Sequence, residues 1–506
     1  MNLIEADICI VGGGTGGWAA ALALEDLNRR TGSNLRFVVT EPTDWVGGQL
    51  TAQGVPSDEH PWIEEFGCTR LYREFRNRVR AFYRENRSLT SVEAEFNPGG
   101  GWVSNLCVLP WIAERVLREM GPEVPLLLGH DLITYGGDSV VVRDAGNGTE
   151  TTIRARWFLD ATEDSSLLAL ARVPMVTGAE GRAETGEPHA PLEAQPENVQ
   201  AMTWVVALGW DPSRRENGWQ PGPPPPRYEF WRLFRPEFWP GNLLGFMDVH
   251  PITLQPRHLP LWGDGVNLFT YRQVADPTRD LDSEYAVTIA NWPMNDSFVT
   301  TDPADARELS ASLVYWLQTE APRHDGGAGY PEVFLAPDVL GSPDGFAKVP
   351  YIRECPRIRA RVTVTEMMVS AEANPGCDRA PAMPMSVGVG AYRIDLHPTL
   401  GGDNYLDISS LPFQIPLGSL VPASNTNVFP AAKNIGTTHI TNGCYRLHPV
   451  EWNIGEAAAR LAAFCLAAEI TADQVLESDS TYRAFLEQLH DAGVETEWPS
   501  VPLRAL

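Results

Sequence analysis

Two short apolar runs near the N-terminus flank a longer alanine-rich stretch. The first run, Ile8 to Val11, leads into a cluster of glycines, and the second, within "LRFVVTE", ends at Glu41. Short apolar runs of this kind are typical of buried strands, whereas the alanine-rich residues between them favour a helix. The pattern predicts a strand, a glycine turn, a helix and a second strand.

Helix and strand patterns continue to alternate along the chain. Leu109 to Met120 has the spacing of an amphipathic helix, and "VPLLLGHDLITY" predicts a strand. Asn147-Gly148 marks the turn of a β-hairpin whose returning strand runs to Asp160. Near the end, a strand, a loop and an alanine-rich helix precede one more amphipathic helix in "STYRAFLEQLHDAGVETEWP". This mixture indicates an α/β fold.

The middle of the chain differs in composition. It is rich in proline and tryptophan, and Pro223 to Pro226 exclude a regular helix or a central strand at that point. We interpret the proline run either as a loop over a substrate cleft or subunit contact, or as an exposed excursion. We predict that residues 173–420 form a second domain inserted into the first.

Charge and composition argue against several classes of partner. The chain has 506 residues, of which 65 are acidic and 39 basic, and its formal net charge is −26. Such a charge repels phosphate backbones and anionic lipid. No apolar run approaches the eighteen or so residues of a membrane helix, and no basic leader precedes the first strand. We expect a small-molecule substrate, no nucleic-acid or membrane partner and a cytoplasmic location, and leave homo-oligomer formation open.

The cysteines do not suggest a metal or disulfide framework. All seven are dispersed, and none forms a C-x-x-C pair. Each is expected to be a buried apolar thiol, and no metal site is predicted.

The glycine cluster has the spacing of a dinucleotide-binding turn. Gly12, Gly14 and Gly17 occupy the three glycine positions of G-x-G-x-x-G, between the predicted strand and helix. The turn lets the backbone approach a pyrophosphate, and the helix N-terminus attracts the phosphates. Glu41 ends the next strand, where a carboxylate accepts both hydroxyls of an adenosine ribose. An acid here also argues against a 2′-phosphate.

A second glycine turn favours FAD over NAD. Gly47-Gly48-Gln49 follows the ribose acid, at a point where NAD domains seldom have such a turn. In FAD proteins of the glutathione-reductase type, this loop passes the pyrophosphate and the ribityl chain. The strand end at Asp160-Ala161 is expected beside the cofactor, where a small residue avoids a clash. The predicted cofactor is therefore FAD.

These features together predict an α/β fold with two interleaved domains. A Rossmann-like FAD-binding domain would contain an inserted substrate domain. The family resemblance described next implies the glutathione-reductase type for the first and a mixed α+β structure for the second. The predicted bounds are 1–172 for the first part of the FAD-binding domain with a β-meander near 132–160, 173–420 for the insertion, 421–470 for the return, and 471–506 for a C-terminal helix and tail.

Four later stretches resemble motifs of the FAD-dependent oxidoreductase family. "YIRECPRIRA" is similar to Y-I-R-E-S-R-R-I, and "SVGVGAYRIDLHP" resembles a strand that ends in I-D-x-H. "FQIPLGSLVP" resembles I-P-Y-x-S-L-I-P, and "NVFPAAKNIGTTHITNGCYRLHP" resembles N-L-L-V-A-G-R-N-I-S-x-T-H with a later R-x-x-P. The motifs follow the family's order and touch most of the chain. The resemblance implies the FAD fold but no particular substrate.

Three positions depart from the family pattern. Glu163 stands where A-T-G has glycine, Ala432-Lys433 replaces Gly-Arg, and Cys355-Pro356 interrupts the R-E-S-R run. The resemblance still implies that the loop around Asn434 lies at the flavin. The predicted cofactor-binding residues are Gly12, Gly14, Thr15, Gly16, Gly17, Glu41, Gly48, Gln49, Asp160, Ala161, Asp164, Asn434 and Ile435.

Flavin chemistry needs a base that takes a proton and groups that stabilise the reduced anion. The resemblance implies that Tyr351, Arg353 and Glu354 face the substrate cleft, although an Arg-Glu pair is otherwise a surface ion pair. His397 and His439 are the predicted proton-transfer groups, because histidine titrates near neutrality. The alternative for each histidine is a place in a satisfied buried polar network.

Two further segments are candidates for the flavin end of the site. Arg446 lies on the approach to a helix whose N-terminus can point at the flavin pyrimidine ring, with helix capping and packing as the alternative. Gly99 to Trp102 either roofs the isoalloxazine ring or, in the interpretation we favour, only breaks a loop.

The predicted function is an FAD-dependent oxidation. We expect removal of a hydride from a small organic substrate, such as a polar alcohol, an amine or a heterocycle, with reoxidation by oxygen or another acceptor. One alternative is a flavin monooxygenase or halogenase, although the W-x-W-x-I-P motif is absent. The other is a non-redox protein that uses bound FAD as structural support.

Overall fold

The computed structural model describes residues 2–91 and 106–506. The segment Gly99 to Trp102 lies outside the described residues. The described helices are α1 (Thr15–Thr31), α2 (Arg70–Asn86), α3 (Pro110–Met120), α4 (Ser166–Leu170), α5 (Arg182–Thr185), α6 (Pro212–Glu216), α7 (Tyr228–Leu233), α8 (Leu268–Tyr271), α9 (Pro303–Thr319), α10 (Glu366–Val369), α11 (His439–Tyr445), α12 (His448–Ala468), α13 (Ala472–Leu476) and α14 (Asp479–Asp491). Among them, none has the length and hydropathy needed to cross a membrane.

A parallel five-stranded sheet lies at the centre of the fold. Its strands stand in the order β23 (Val428–Pro430), β8 (Trp157–Asp160), β2 (Ile8–Val11), β3 (Phe37–Glu41) and β4 (Leu126–Leu128). The two apolar runs predicted as strands therefore pair directly with each other. Because all five strands are parallel, their carboxyl ends meet at one edge, where the glycine turn follows β2.

Helix α1 follows the glycine turn and packs along α12, from the far end of the chain. The two helices approach closely, since a Cβ added to Gly455 would lie 1.9 Å from the carbonyl oxygen of Gly16. The α12 helix also contacts β8. The end of the chain thus packs against the first strand-turn-helix unit.

A second sheet contains the predicted β-hairpin. Its strands stand in the order β1 (Asn2–Glu5), β7 (Glu150–Arg154), β6 (Ser139–Asp144) and β5 (His130–Tyr135), and β5 to β7 form an antiparallel meander. The predicted turn at Asn147-Gly148 joins β6 to β7. The prediction of one returning strand that reaches Asp160 is wrong. The structure has two strands there, because β7 ends at Arg154 in the second sheet and β8 begins at Trp157 in the central sheet.

Much of the middle of the chain has its own hydrophobic core. Apolar residues between 201 and 346 pack there, among them the buried tryptophans Trp231 and Trp292. Helix α9 packs with this core, and the proline run Pro223–Pro226 contains neither helix nor strand, as predicted. The antiparallel sheet beside the core contains β14 (Gln273–Ala275), β15 (Ala286–Ala290), β11 (Val206–Trp210) and β17 (Val333–Leu335).

Residues 347–420 pack differently from the residues before them. Most of their buried apolar side chains belong to the main core, together with α1 and α12. The remaining strands form the antiparallel pairs β10 (Met202–Thr203) with β16 (Asp296–Ser297), β12 (Met247–Val249) with β13 (Pro256–His258), β9 (Met175–Val176) with β18 (Arg357–Ile358), β19 (Ser386–Gly390) with β22 (Phe413–Pro416), and β20 (Ile394–Leu396) with β21 (Leu406–Ile408).

The cysteines follow the sequence expectation with one exception. Six of the seven are buried, whereas Cys377 is exposed. Burial raises the pKa of the Cys355 thiol to about 12, so this thiol is inert at neutral pH.

Candidate active site

The first glycine turn packs tightly against the end of β8. Gly12 has a φ of +99°, and a Cβ at this position would lie 2.3 Å from the carbonyl oxygen of Ala161. Only glycine fits this combination of conformation and contact. The tight turn directs the chain into α1, whose N-terminal amides can bind phosphate.

Glu41 lies at the end of β3 and faces the glycine turn. Its Oε2 accepts a hydrogen bond from the Gly13 amide at 2.8 Å, and its Oε1 accepts from the amide and hydroxyl of Thr43 at 2.9 and 2.7 Å. Burial raises the pKa of Glu41 to about 7, against the opposing effect of these hydrogen bonds. A carboxylate at this strand end fits the ribose hydroxyls of a dinucleotide.

The second glycine turn packs on the first. The amide of Gly47 donates to the carbonyl oxygen of Gly13, and the Thr15 hydroxyl donates to the carbonyl oxygen of Gly47, both at 2.8 Å. Gln49 Nε2 donates to the carbonyl oxygen of Arg446 and to the Glu451 carboxylate. The Oε1 atom of Gln49 is buried and has no hydrogen-bond partner among the described residues. A buried polar atom without a partner fits a site for a polar cofactor.

Two of the departures from the family pattern contact each other. Lys433 Nζ forms an ion pair with the Glu163 carboxylate, and Lys433 is 3% exposed. A Cβ on Gly14 would lie 2.8 Å from Glu163 Oε1, and a Cβ on Gly48 would lie 3.0 Å from it. The Glu163 carboxylate therefore lies against both glycine turns, and Lys433 balances its charge.

The other predicted cofactor residues lie at the ends of β8 and β23. Asn434 Nδ2 donates to the carbonyl oxygen of Asp160 at 3.1 Å and so joins the two strand ends. Burial raises the pKa of the Asp160 carboxyl to about 6, although its hydrogen bonds lower it. Ala161 and Ile435 are buried, whereas Asp164 is exposed. The contacts of these residues hold the loops that follow β8 and β23 in place. That these residues contact FAD stays a prediction.

His439 is the first residue of α11 and is paired with Glu354. Its Nδ1 lies 2.9 Å from each carboxylate oxygen of Glu354, and Arg357 forms an ion pair with the same carboxylate. Burial raises the pKa of Glu354, but its contacts with His439 and the Arg357 guanidinium lower it to about 2. The carboxylate is ionised and occupies Nδ1, which leaves Nε2 as the ring nitrogen that can exchange a proton.

His397 and Arg353 share a second carboxylate. His397 Nδ1 lies 2.6 Å from Asp296 Oδ2, and Arg353 Nη2 lies 3.0 Å from Asp296 Oδ1. Burial raises the pKa of Asp296, but the Arg353 guanidinium and the hydrogen bond with His397 keep it below its usual range. Arg353 is 1% exposed. It therefore does not belong to a surface ion pair, which was the alternative interpretation of the sequence.

Arg446 links the second glycine turn to Tyr351. Its Nη1 donates to the Tyr351 hydroxyl at 2.7 Å, and its Nη2 donates to the carbonyl oxygen of Asp395 at 3.0 Å. Its own carbonyl oxygen accepts from Gln49 at 3.1 Å. The structure thus joins the six predicted catalytic residues in three ionic or hydrogen-bonded groups, Glu354–His439, Arg353–Asp296–His397 and Tyr351–Arg446.

A cavity of about 260 Å³ lies beside His439. Glu180 Oε2, in its wall, accepts from the His439 amide at 2.9 Å, and Glu187 accepts from the Thr438 hydroxyl at 2.7 Å. The cavity is lined by Ala179, Glu180, Glu187, His189, Ala190, Pro191, Leu396, Thr399, Asp403, Asn404, Tyr405, Leu406, His439 and Ile440.

Several charged residues in or near the site were not candidates from the sequence. Asp296, Arg357, Glu180 and Glu187 acquire their contacts only in the folded chain. His189 belongs to the same group, and its Nδ1 lies 2.7 Å from Glu366 Oε1. The sequence feature that could have indicated Glu180, Glu187 and His189 is the segment "AEGRAETGEPHA". It contains several acids and one histidine in a short stretch without an apolar core pattern.

Comparison with known proteins decides the family. The sequence profile of the FAD dependent oxidoreductase family matches residues 7–489. The chain belongs to this family. FAD is therefore its cofactor, and the two glycine turns, Glu41 and the unpartnered amide oxygen of Gln49 fit this group. No curated protein sequence matches this FAD dependent oxidoreductase.

Solved flavoenzyme structures resemble this oxidoreductase only distantly. The substrate-free form of the rebeccamycin biosynthetic enzyme RebC is 14% identical over 99% of this chain and 70% of that chain, with a TM-score of 0.35. RebC with reduced flavin is 18% identical over 43% and 40% of the two chains, with a TM-score of 0.24. The flavin-dependent monooxygenase PieE, in complex with FAD and substrate, is 14% identical over 61% and 47%, with a TM-score of 0.26.

Proposed function

We propose that this FAD-dependent oxidoreductase removes a hydride from a small polar organic substrate bound in the cavity beside His439. His439, which lines the cavity and has Glu354 on its Nδ1, carries the proposal. Bound FAD would supply the hydride acceptor, and oxygen or another acceptor would take up the electrons. The protein then has to bind the substrate, orient it and take one proton from it.

His439 and Glu354 provide the proton acceptor in this proposal. Unprotonated Nε2 of His439 takes a proton from the N–H or O–H group of the substrate, since Nδ1 is held by Glu354. The negative charge of Glu354 stabilises the imidazolium that results. Leu396, Leu406 and Ile440 form apolar parts of the wall and limit access of water to this proton.

We propose that the FAD-binding part is of the glutathione-reductase type. The parallel strand order, the glycine turn after β2 and the acid at the end of β3 support this description. In it, Gly12 to Gly17 and Gly48 would hold the diphosphate, and Glu41 would hold the adenosine ribose.

Anaerobic reduction of the bound flavin tests the proposal. The FAD-loaded protein is mixed with a panel of alcohols, amines and heterocycles, and the loss of visible flavin absorbance is followed, with free FAD as the control. We expect at least one panel member to bleach the bound flavin and not free FAD. Peroxide on readmission of oxygen would fit an oxidase, whereas an oxygenated product would favour a monooxygenase. Persistent colour with every panel member would contradict the proposal and favour a non-redox role.

A further inference from the structure

We propose that Glu451 takes up a proton when the bound FAD is reduced, and that this uptake couples the reduction potential of the cofactor to pH. The proposal depends on FAD as the cofactor. It depends neither on His439 nor on the identity of the substrate, and therefore goes beyond the proposed function.

Glu451 lies where the elements of the predicted cofactor site meet. It belongs to the first turn of α12 and is 1% exposed. Gln49, in the second glycine turn, donates a hydrogen bond from Nε2 to the Glu451 carboxylate. The Oε1 atom of the same glutamine is buried without a partner among the described residues, which fits a bound polar cofactor. One glutamine side chain therefore connects Glu451 to the place where FAD fits.

Glu451 has no cation of its own. Lys433 acts on it electrostatically but forms an ion pair with Glu163. Within the described ranges 2–91 and 106–506, no basic side chain forms an ion pair with Glu451. If both carboxylates were ionised, one buried negative charge would lack a counterion, which is costly where water is excluded. The arrangement therefore favours a proton on one of the two carboxylates near neutral pH.

The ionisation of Glu451 falls in the neutral range. Burial raises its pKa from 4.5 to about 7 against the opposing charge of Lys433, and the charge of Glu163 also raises it. His448, one turn earlier on α12, does not titrate in this range, because burial lowers its pKa to about 4. A change in local charge near pH 7 therefore changes the fraction of Glu451 that holds a proton.

Reduction of FAD supplies such a change in charge. FAD and a hydride give the reduced cofactor FADH⁻, which holds the electron pair and carries one additional negative charge. At an effective dielectric constant of about 20, a unit charge even about 10 Å away makes the ionised carboxylate about tenfold less favourable. The ionised Glu451 carboxylate then takes one proton from the solvent and becomes neutral.

The reduction potential must respond to the same interaction. An ionised Glu451 opposes the negative charge of reduced FAD and lowers the potential, whereas a protonated Glu451 does not. For a two-electron couple, a tenfold effect corresponds to about 30 mV. The diphosphate of FAD acts on Glu451 in both redox states, so it moves the pH at which the potential changes but not the size of the change.

Reduction potentials of the FAD-loaded protein test the proposal. They are measured between about pH 5.5 and 9.5 by equilibration with reference dyes, which needs no substrate. Glu451→Gln resembles the protonated residue at every pH. We expect the two proteins to agree near pH 5.5 and the wild type to lie about 30 mV lower near pH 9.5. Equal potentials at every pH, or a difference that does not vary with pH, would overturn the proposal.

Glu456→Gln is the matched control. Glu456 is a buried acid on the same helix, but its carboxylate accepts hydrogen bonds from Thr69 and Trp452, neither of which belongs to a glycine turn. This variant should follow the wild type at every pH. The same effect in both variants would contradict the assignment to Glu451. The visible flavin spectrum of each variant shows whether it has kept its cofactor.

Glu163→Gln provides a second test, which applies even if Glu451→Gln does not retain FAD. Loss of the Glu163 charge lowers the pKa of Glu451. The potential should therefore begin to fall more steeply at a lower pH than in the wild type. If the steeper part of the curve stays at the same pH or moves to a higher pH, the proposal is wrong.

The inference and the proposed function can fail separately. If the potentials depend on Glu451 as expected and no panel member bleaches the flavin, the role of Glu451 stands and the oxidation fails. If a panel member bleaches the flavin and the potentials of Glu451→Gln parallel those of the wild type, the oxidation stands and the role of Glu451 fails.

Discussion

At the scale of single residues, the two departures Glu163 and Lys433 explain each other. The sequence shows both as exceptions to the family pattern, 270 residues apart, and nothing in it indicates that they meet. In the fold they form an ion pair beside Gly14 and Gly48. The Glu163 carboxylate lies where a diphosphate would approach α1. Because the positive charge of Lys433 offsets its negative charge, it repels the diphosphate less.

Substitution of Glu163 should change FAD affinity. Glu163→Gln removes a negative charge next to both glycine turns, so FAD should bind several-fold more tightly. Lys433→Gln leaves Glu163 unbalanced and should weaken FAD binding, and the double variant should fall between the two. Titration of the FAD-free protein with FAD, followed by flavin fluorescence, measures these affinities. Glu477→Gln, an exposed acid elsewhere, is the control. An unchanged or weaker affinity in Glu163→Gln would contradict this reading of the pair.

Glu41 should couple stability to pH. Burial raises its pKa in the folded state from 4.5 to about 7. Between these two pH values the folded state holds a proton that the unfolded state has lost. The free energy of unfolding therefore falls as the pH rises from about 4.5 to about 7. Glu41→Gln resembles the protonated form. It should match the wild type near pH 4 and exceed it near pH 8 by up to about 3 kcal/mol. Thermal unfolding of the FAD-free protein at both pH values measures the difference. A difference that does not vary with pH would refute the coupling.

At the scale of elements, most strands and helices of the nucleotide-binding part follow from the sequence. The strand Ile8–Val11 and the helix Pro110–Met120 lie where their patterns predict them. The division of the predicted returning strand between two sheets does not follow, because only Ala155-Arg156 separates β7 from β8 and neither residue marks a turn. A local pattern shows that a strand forms, but its partners are decided by tertiary packing.

The contact between α1 and α12 depends on glycine. Gly455→Ala should lower the free energy of unfolding by about 2 to 4 kcal/mol, because the added Cβ would overlap the carbonyl oxygen of Gly16. Chemical denaturation of the FAD-loaded protein measures the loss. A Cβ on Gly241 would meet nothing within 4 Å, so Gly241→Ala should change stability by less than about 0.5 kcal/mol. Equal stability of the two variants would show that the helices can separate without cost.

At the scale of the whole molecule, the cofactor was predictable and the substrate cavity was not. The glycine turns and Glu41 are close in sequence, and their spacing carries the dinucleotide chemistry. The cavity combines residues 179–191, 396–406 and the start of α11, which no local pattern connects. Tertiary packing also divides the middle of the chain. Many buried apolar residues of 201–346 form their own core, whereas most of those of 347–420 pack with α1 and α12. The predicted domain bounds and the predicted cytoplasmic location stay proposals.

The central claim is that a substrate beside His439 reduces FAD with His439 as the proton acceptor. The most direct measurement is the anaerobic rate of flavin bleaching by an active panel substrate, in the wild type and in His439→Gln. We predict that the variant retains the wild-type flavin spectrum, because His439 lies outside both glycine turns, and bleaches at least about a hundredfold more slowly. Bleaching of the variant at the wild-type rate would contradict the account.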